Sequence, residues 1–419
     1  LTDPGDLVTS DKAHWKKRRS TMNPGFAVTH LISHVPSIAD EGLLFCQNMA
    51  KHPDKGEVFR LEEDATKLTV GTHIIGRNLS SEKSAYGYNN YLQICIIGKV
   101  AMDIRPEARR DEKGNPLSAA LRHIYTWRIE RATVQYVGKV LDERFARANP
   151  ETNVPGQRKQ RKQAVIDLAL DAYQAQGENG SRTFAISQIR ALIFAGHDTT
   201  SSTICYVRYM LQTHLNFLPR IRKEHDDIFG DLAGTPDVIK RDGHILNKLV
   251  YTTAVIREML RLWPPASSVR QGVWKVMIRD PETNETYPTE SCMVWIVSYG
   301  LHRSPKVWGD TAEKFNPQRF IRYKEKIPGA GCWPFELGPR NRLGRELAMI
   351  ESSVILALVV RSFDSSSAYY RLDEHQNDAS HHAAEPKWRR GRQDLDGEEA
   401  CQVLLGPAKP REVNGGPMR

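Results

Sequence analysis

Four short stretches of this sequence combine residue types that chemistry uses. Ala195-Gly196-His197-Asp198-Thr199-Thr200 sits in the middle of an apolar, helix-spaced pattern. Gly, Asp and Thr are poor mid-helix residues, so something other than propensity favours them there. Gly196 admits another group close to the backbone, threonine hydroxyls can bond back to carbonyls, and an acid beside a hydroxyl is what a proton relay needs. A kinked core helix with a solvated aspartate accounts for the same residues. In Glu258-Met259-Leu260-Arg261 the acid and the base lie three apart on one helical face and can pair. On a surface that pair contributes only about 0.2–0.5 kcal/mol. Buried beside a third partner, loss of one member costs roughly 3–5 kcal/mol. Phe315-Asn316-Pro317-Gln318-Arg319-Phe320 adds one more arginine in an irregular segment. Finally, the Gly- and Pro-constrained stretch from Trp333 to Gly344 leads straight into an apolar helical pattern. Such a loop can hold a cofactor against helix-end amides, with an arginine fork for its carboxylates.

The elements that must position these residues are mostly helical. Helix-like stretches cover His14–Asn23, Leu31–Met49, Leu117–Arg147 and Arg161–Gln176. Thr183–Thr213, with Thr183 as N-cap, carries the Asp198 stretch. Leu215–Phe229 ends at Gly230, and Leu246–Leu262 places Leu246, Leu249, Val250, Thr253 and Leu260 on one face before Pro264-Pro265 stops it. Strand-like pieces follow at Gly272–Arg279 and Cys292–Val297, separated by the polar, turn-rich Asp280–Glu290. A last helix spans Gly344–Phe363. Helices early, a few short strands late and no βαβ alternation predict a mainly α fold with small β-sheets. The expected organisation is a core over 1–363, a polar loop or disordered stretch over 364–396, and a strand-like segment with a tail over 397–419.

Composition narrows the class. The chain has 419 residues, 40% hydrophobic and 26% charged, which predicts a folded core. No stretch reaches the roughly 18–20 apolar residues of a membrane-spanning helix. Against 50 Asp+Glu stand 59 Lys+Arg, a net +9 that favours acidic partners. The basic clusters, Lys16–Arg19, Arg158–Lys162 and Arg389–Arg392, lack the interleaved aromatics of a base-stacking platform, so no nucleic-acid partner is expected. Six dispersed cysteines without a CxxC pair predict reduced, mostly buried thiols and no zinc site.

In this order and at these separations the motifs resemble one family, the cytochrome P450 haem-thiolate monooxygenases. AGHDTT is similar to their oxygen-activating central helix, EMLR to the ExxR helix, and NPQRF to the segment whose arginine completes that triad. FELGPRNRLG resembles the haem loop FxxGxRxCxG, and Trp15 to Arg19, followed by Asn23-Pro24-Gly25-Phe26, the WxxxR helix. The wording AGHDTTSST and WPFELGPRN is closest to fungal members of secondary metabolism. The resemblance implies oxygen insertion into a small apolar substrate, with haem b as cofactor and NADPH electrons arriving through a flavoprotein reductase. It implies that Asp198 and Thr199 deliver protons, and that Trp15, Arg19, Arg270 and Arg340 hold the haem propionates. Phe335 and Gly338 would shape the loop, while Glu258, Arg261 and Arg319 lock the fold beneath the cofactor. A full-length member would sit at the cytosolic face of the endoplasmic reticulum membrane.

The sequence departs from the pattern twice. The WxxxR match lies at residue 15, whereas family members carry a long stretch before it, with the membrane anchor and the first sheet and helices; the expected fold is therefore incomplete at its N-terminus. The family's iron-ligand cysteine falls at Arg342, so no metal ligand is assigned. A guanidinium has no lone pair to offer iron. Cys332, ten residues upstream, would need the loop rebuilt to replace it. Two readings follow: an oxygen-inserting lineage, or a truncated, inactive relative without its iron ligand.

Overall fold

The computed structural model describes residues 7, 10, 12–55, 59–74, 131, 134–135, 138–139, 142, 181–322, 327, 329, 331–364, 404–405 and 409–410. The expected helix over 161–176, the basic clusters over 158–162 and 389–392, the expected polar stretch beyond 364 and most of the expected helix over 117–147 lie outside them. Among the described residues the chain is mainly helical, with short antiparallel two-stranded sheets. None of their helices is long and apolar enough to cross a membrane. Two compact units divide the chain: Leu1–Gly42 with Glu63–Asp198, and Leu43–Glu62 with Thr199–Arg419.

In the first unit α1 (Lys12–Met22) runs into a 3-10 turn at Asn23–Phe26, and α2 (Val28–Ile32) follows. One helix over Leu31–Met49 is not what forms. The chain breaks at Ser33 and His34, which donate tight bonds to the carbonyls of His30 and Leu31. It restarts as α3 (Val35–Lys55), whose second residue, Pro36, has no N–H to lose in a first turn. This unit also holds most of α4 (Leu61–Ile74) and the first half of α5 (Ser181–Thr213), where Thr69 Oγ1 donates to the His197 carbonyl at 2.9 Å. Helix α5 begins two residues before Thr183, so that threonine is not its N-cap.

The second unit is built around the end of α5, α6 (Leu218–Phe229) and α8 (Val250–Leu262), with α7 (Thr235–Arg241) beside them. Pro219 opens α6 later than the expected Leu215, and Gly230 closes it at φ 69°. The expected Leu246–Leu262 helix is two pieces. A 3-10 turn, Gly243–Lys248, is capped by the Asp242 carboxylate, and α8 begins after Leu249. The carboxylate of Glu224 on α6 accepts from the amides of Tyr251 and Thr252, satisfying donors that a helix start leaves open. Of the predicted face Leu246, Leu249 and Leu260 are buried, whereas Val250 is 56% exposed and Thr253 half-buried. Val255, Ile256, Met259 and Leu262 join Leu260 in a core with Val207, Leu211, Ile221, Phe315 and Leu356.

Beyond α8, β2 (Ser268–Gln271) pairs antiparallel with β5 (Met293–Ile296). Between them β3 (Met277–Arg279), at the end of the expected Gly272–Arg279 strand, pairs in a hairpin with β4 (Thr286–Pro288), which falls in the stretch expected to be turn-rich. Asp280 accepts from the amides of Glu282 and Thr283, and Asn284 takes the left-handed φ of 65° that closes it. Short helices α9 (Ser298–Leu301), α10 (Pro305–Trp308) and α11 (Arg319–Arg322) precede α12 (Arg345–Val359). Helix α12 stops before the predicted Phe363, because Phe363–Asp364 is strand β6, paired with β8 (Lys409–Pro410). Strand β1 (Phe59–Arg60) pairs with β7 (Leu404–Leu405).

Candidate functional site

Helix α8 carries the most completely bonded ion pair among the described residues. Glu258 and Arg261 are both fully buried. Arg261 Nε and Nη2 donate to the two Glu258 oxygens, each at 2.8 Å, a bidentate fork. Its other donors reach the carbonyls of His302 and Ala312, both at 2.7 Å, and of Lys314 at 3.3 Å. All five guanidinium N–H groups are thereby used. Glu258 Oε1 also accepts from the Asn316 amide at 2.8 Å and from Arg319 Nε at 3.3 Å. Arg319 then donates to the Thr311 carbonyl and hydroxyl. The structure thus brings Glu258, Arg261 and Arg319 together. Trp308 covers the cluster, 4.8 Å from the Arg261 guanidinium.

His302 ties this cluster to the loop that follows. Buried, it accepts the Trp333 amide proton at Nε2 (3.0 Å) while Nδ1 faces the Arg261 carbonyl at 3.2 Å. A donor at one nitrogen and a carbonyl at the other define the neutral ring with its proton on Nδ1. Burial lowers its pKa from 6.5 to about 4, partly offset by the bond to the Arg261 carbonyl. Sequence reasoning missed His302 and Trp308, since each works through backbone carbonyls and ring faces that leave no motif.

The loop itself is tightly closed. Trp333 O accepts from the Glu336 amide, Gly338 O from Asn341, and Phe335 O from Arg342 at 2.9 Å. Gly338 has φ 79° and Glu336 has φ 62°, a left-handed conformation that disfavours a residue with a Cβ. Phe335 packs on the core, Arg340 is half-buried, and Gly344 starts α12. The Glu336 carboxylate gathers three groups. Ser268 Oγ donates to Oε1, Arg270 Nη2 to Oε2 at 2.6 Å, and Arg342 Nη2 lies 3.8 Å from Oε1. Arg342 Nε is buried with no hydrogen-bond partner.

Trp15 and Arg19 belong to the first unit and lie one turn apart on α1, with the guanidinium 5.7 Å from the ring centre. Asp198 closes the first unit and Thr199 opens the second. Helix α5 runs through the AGHDTT stretch without a break. One turn on, Thr203 Oγ1 donates to the Thr199 carbonyl at 2.7 Å, while the buried Thr200 hydroxyl has no partner among the described residues. Asp198 is exposed and Thr199 half-buried.

The Cytochrome P450 family profile matches residues 1–368. The chain belongs to the cytochrome P450 family. It is 30% identical over 98% of its length to cytochrome P450 monooxygenase polC of Polytolypa hystricis, covering 72% of that protein. It is 29% identical over its full length to cytochrome P450 monooxygenase acrF of Aspergillus aculeatus, covering 84% of it. With human cytochrome P450 3A5 it shares 24% identity over 85% of the chain and 69% of that protein.

The family's cofactor is haem. The P450 motif puts the iron ligand at position 342, where this chain has a guanidinium with no lone pair to donate. Burial pulls the Arg342 pKa below its ordinary range, opposed by Glu336 and reinforced by Arg270. The group nonetheless stays a cation at neutral pH. Cys332 lies ten residues before that position, half-buried, with its thiol pushed up to about 12 by burial. The residues present do not fit haem-iron ligation.

Proposed function

We propose that this P450 scaffold serves the insertion of one oxygen atom of O2 into a small apolar substrate, and that Arg342 withholds that reaction from the chain as it stands. The carrying observation is the Arg342 guanidinium at the ligand position, engaged with Glu336 at 3.8 Å. The family and its two fungal monooxygenase relatives support the lineage. Its place is fungal secondary metabolism, with electrons from NADPH passed by a flavoprotein reductase at the cytosolic face of the endoplasmic reticulum membrane. Asp198 and Thr199 are the acid and hydroxyl of its proton path. Trp15, Arg19, Arg270 and Arg340 are its propionate groups, Phe335 and Gly338 its loop-shaping residues, and Glu258, Arg261 and Arg319 its structural lock.

The test supplies haem, reductase and NADPH to the chain as found and to its Arg342→Cys version, each with a panel of small apolar compounds. Products heavier by one oxygen atom are expected from the cysteine version only. Such products from the arginine chain would overturn the proposal.

A further inference from the structure

His30-Leu31-Ile32-Ser33-His34 spaces two histidines four apart, the separation at which helical side chains meet on one face. The cysteine spacing that predicts no zinc site says nothing of this pair. His30 lies on α2 and His34 in the tight turn before α3, both within the first unit and both half-buried. Their backbones are closely held. The amides of Ser33 and His34 donate to the carbonyls of His30 and Leu31 at 3.1 and 2.9 Å, and the His34 carbonyl accepts the Ile38 amide at 3.1 Å. Ser33 Oγ adds a bond of 2.7 Å to the His30 carbonyl. The two rings stand edge to face at 76° with centres 4.8 Å apart, and their Nε2 atoms lie 3.2 Å from each other.

That separation matches the bite of a metal ion. Nitrogen ligands sit about 2.0–2.1 Å from a divalent transition metal, so two of them at roughly 90–110° lie about 2.8–3.4 Å apart. A hydrogen bond spans the same distance, but it needs a proton on one Nε2 and a lone pair on the other. With both ring protons on Nδ1 the two lone pairs face each other, an arrangement that a shared cation satisfies.

We propose that His30 and His34 are a chelating pair for one divalent transition-metal ion, which clips α2 to the start of α3. Imidazole selects nickel, copper and zinc over calcium and magnesium, which take oxygen ligands. Among the described residues no group of three or more His, Cys, Asp or Glu is placed to hold a metal, and water or a small Lewis base completes the coordination. An ion held by two side chains exchanges with solution and stabilises the fold by mass action.

The test uses the whole chain without a polyhistidine tag, nickel(II) as the probe, and calorimetric titration beside urea unfolding. It compares the chain as found, His30→Gln, His34→Gln and both changes together, with His244→Gln as a control at an exposed histidine elsewhere. One nickel ion should bind the chain as found. Each single change at the pair should weaken it at least about tenfold, because the second ligand acts at high effective concentration once the first is bound. The double change should weaken it little further, and His244→Gln should leave it unaltered. With nickel at about a hundred times its dissociation constant, the folding constant of the chain as found should rise about a hundredfold, and by no more than about tenfold in either single variant. Single variants that bind nickel as tightly as the chain as found would overturn the chelate and leave the pair joined by a hydrogen bond alone. Should the glutamine variants not fold, carbethoxylation of the unaltered chain by diethyl pyrocarbonate reads the same contact. Nickel should protect His30 and His34, and equal modification with and without nickel would overturn the proposal.

Discussion

Two clusters in the second unit are each organised on a glutamate, and they are satisfied to different degrees. Around Glu258 every guanidinium proton of Arg261 has an acceptor, and both charges are fully buried. Around Glu336 the pair with Arg270 is partly solvated, and Arg342 leaves one buried N–H without a partner. A buried ion pair is tolerated when the remaining donors and acceptors are met, since desolvation otherwise exceeds the Coulombic gain. The first cluster meets that condition and reads as part of the fold. The second meets it only in part.

The largest expected effect tests the completeness of the first cluster. Glu258→Ala strands a fully buried guanidinium and should lower folding stability by about 3–5 kcal/mol in urea titration. A loss under about 1 kcal/mol, the range of exposed pairs, would make the two clusters alike.

Next comes the histidine that joins them. His302 is neutral when folded, with its pKa lowered from 6.5 to about 4, so below pH 6.5 the unfolded chain binds a proton that the folded chain refuses. Stability should therefore fall as pH drops from 6.5 towards 4, by up to about 2–3 kcal/mol, and the His302→Gln chain should lose that part of the slope. An unchanged slope in His302→Gln would mean that His302 does not hold the loop through its neutral form. His225, buried and lowered to about 3 by desolvation and by Arg361, contributes to the same acid slope and must be held constant.

These contrasts also explain what was legible in the sequence. Glu258 and Arg261 were visible because helical spacing places them on one face, and Arg319 through the NPQRF motif. Their acceptors were not, because the carbonyls of His302, Ala312 and Lys314 lie in irregular segments where side-chain identity carries no signal. The family was recognisable from the order of its motifs along the chain. The part played by Glu336 was hidden, since it depends on a left-handed backbone and on the approach of β2, neither of which residue order specifies. The break at Ser33–His34 escaped for a related reason: local hydrogen bonds overrode the apolar periodicity.

The most direct test of Arg342 as the obstacle is the reduced carbon-monoxide difference spectrum of the hemin-treated chain as found. A cysteine ligand produces a red-shifted band because the thiolate pushes electron density onto the iron. Arg342 in the ligand position predicts no such band in the chain as found, and its appearance once cysteine replaces Arg342. The red-shifted band in the unaltered chain, abolished by Cys332→Ala, would show that another thiolate has taken the iron and would contradict the site described above.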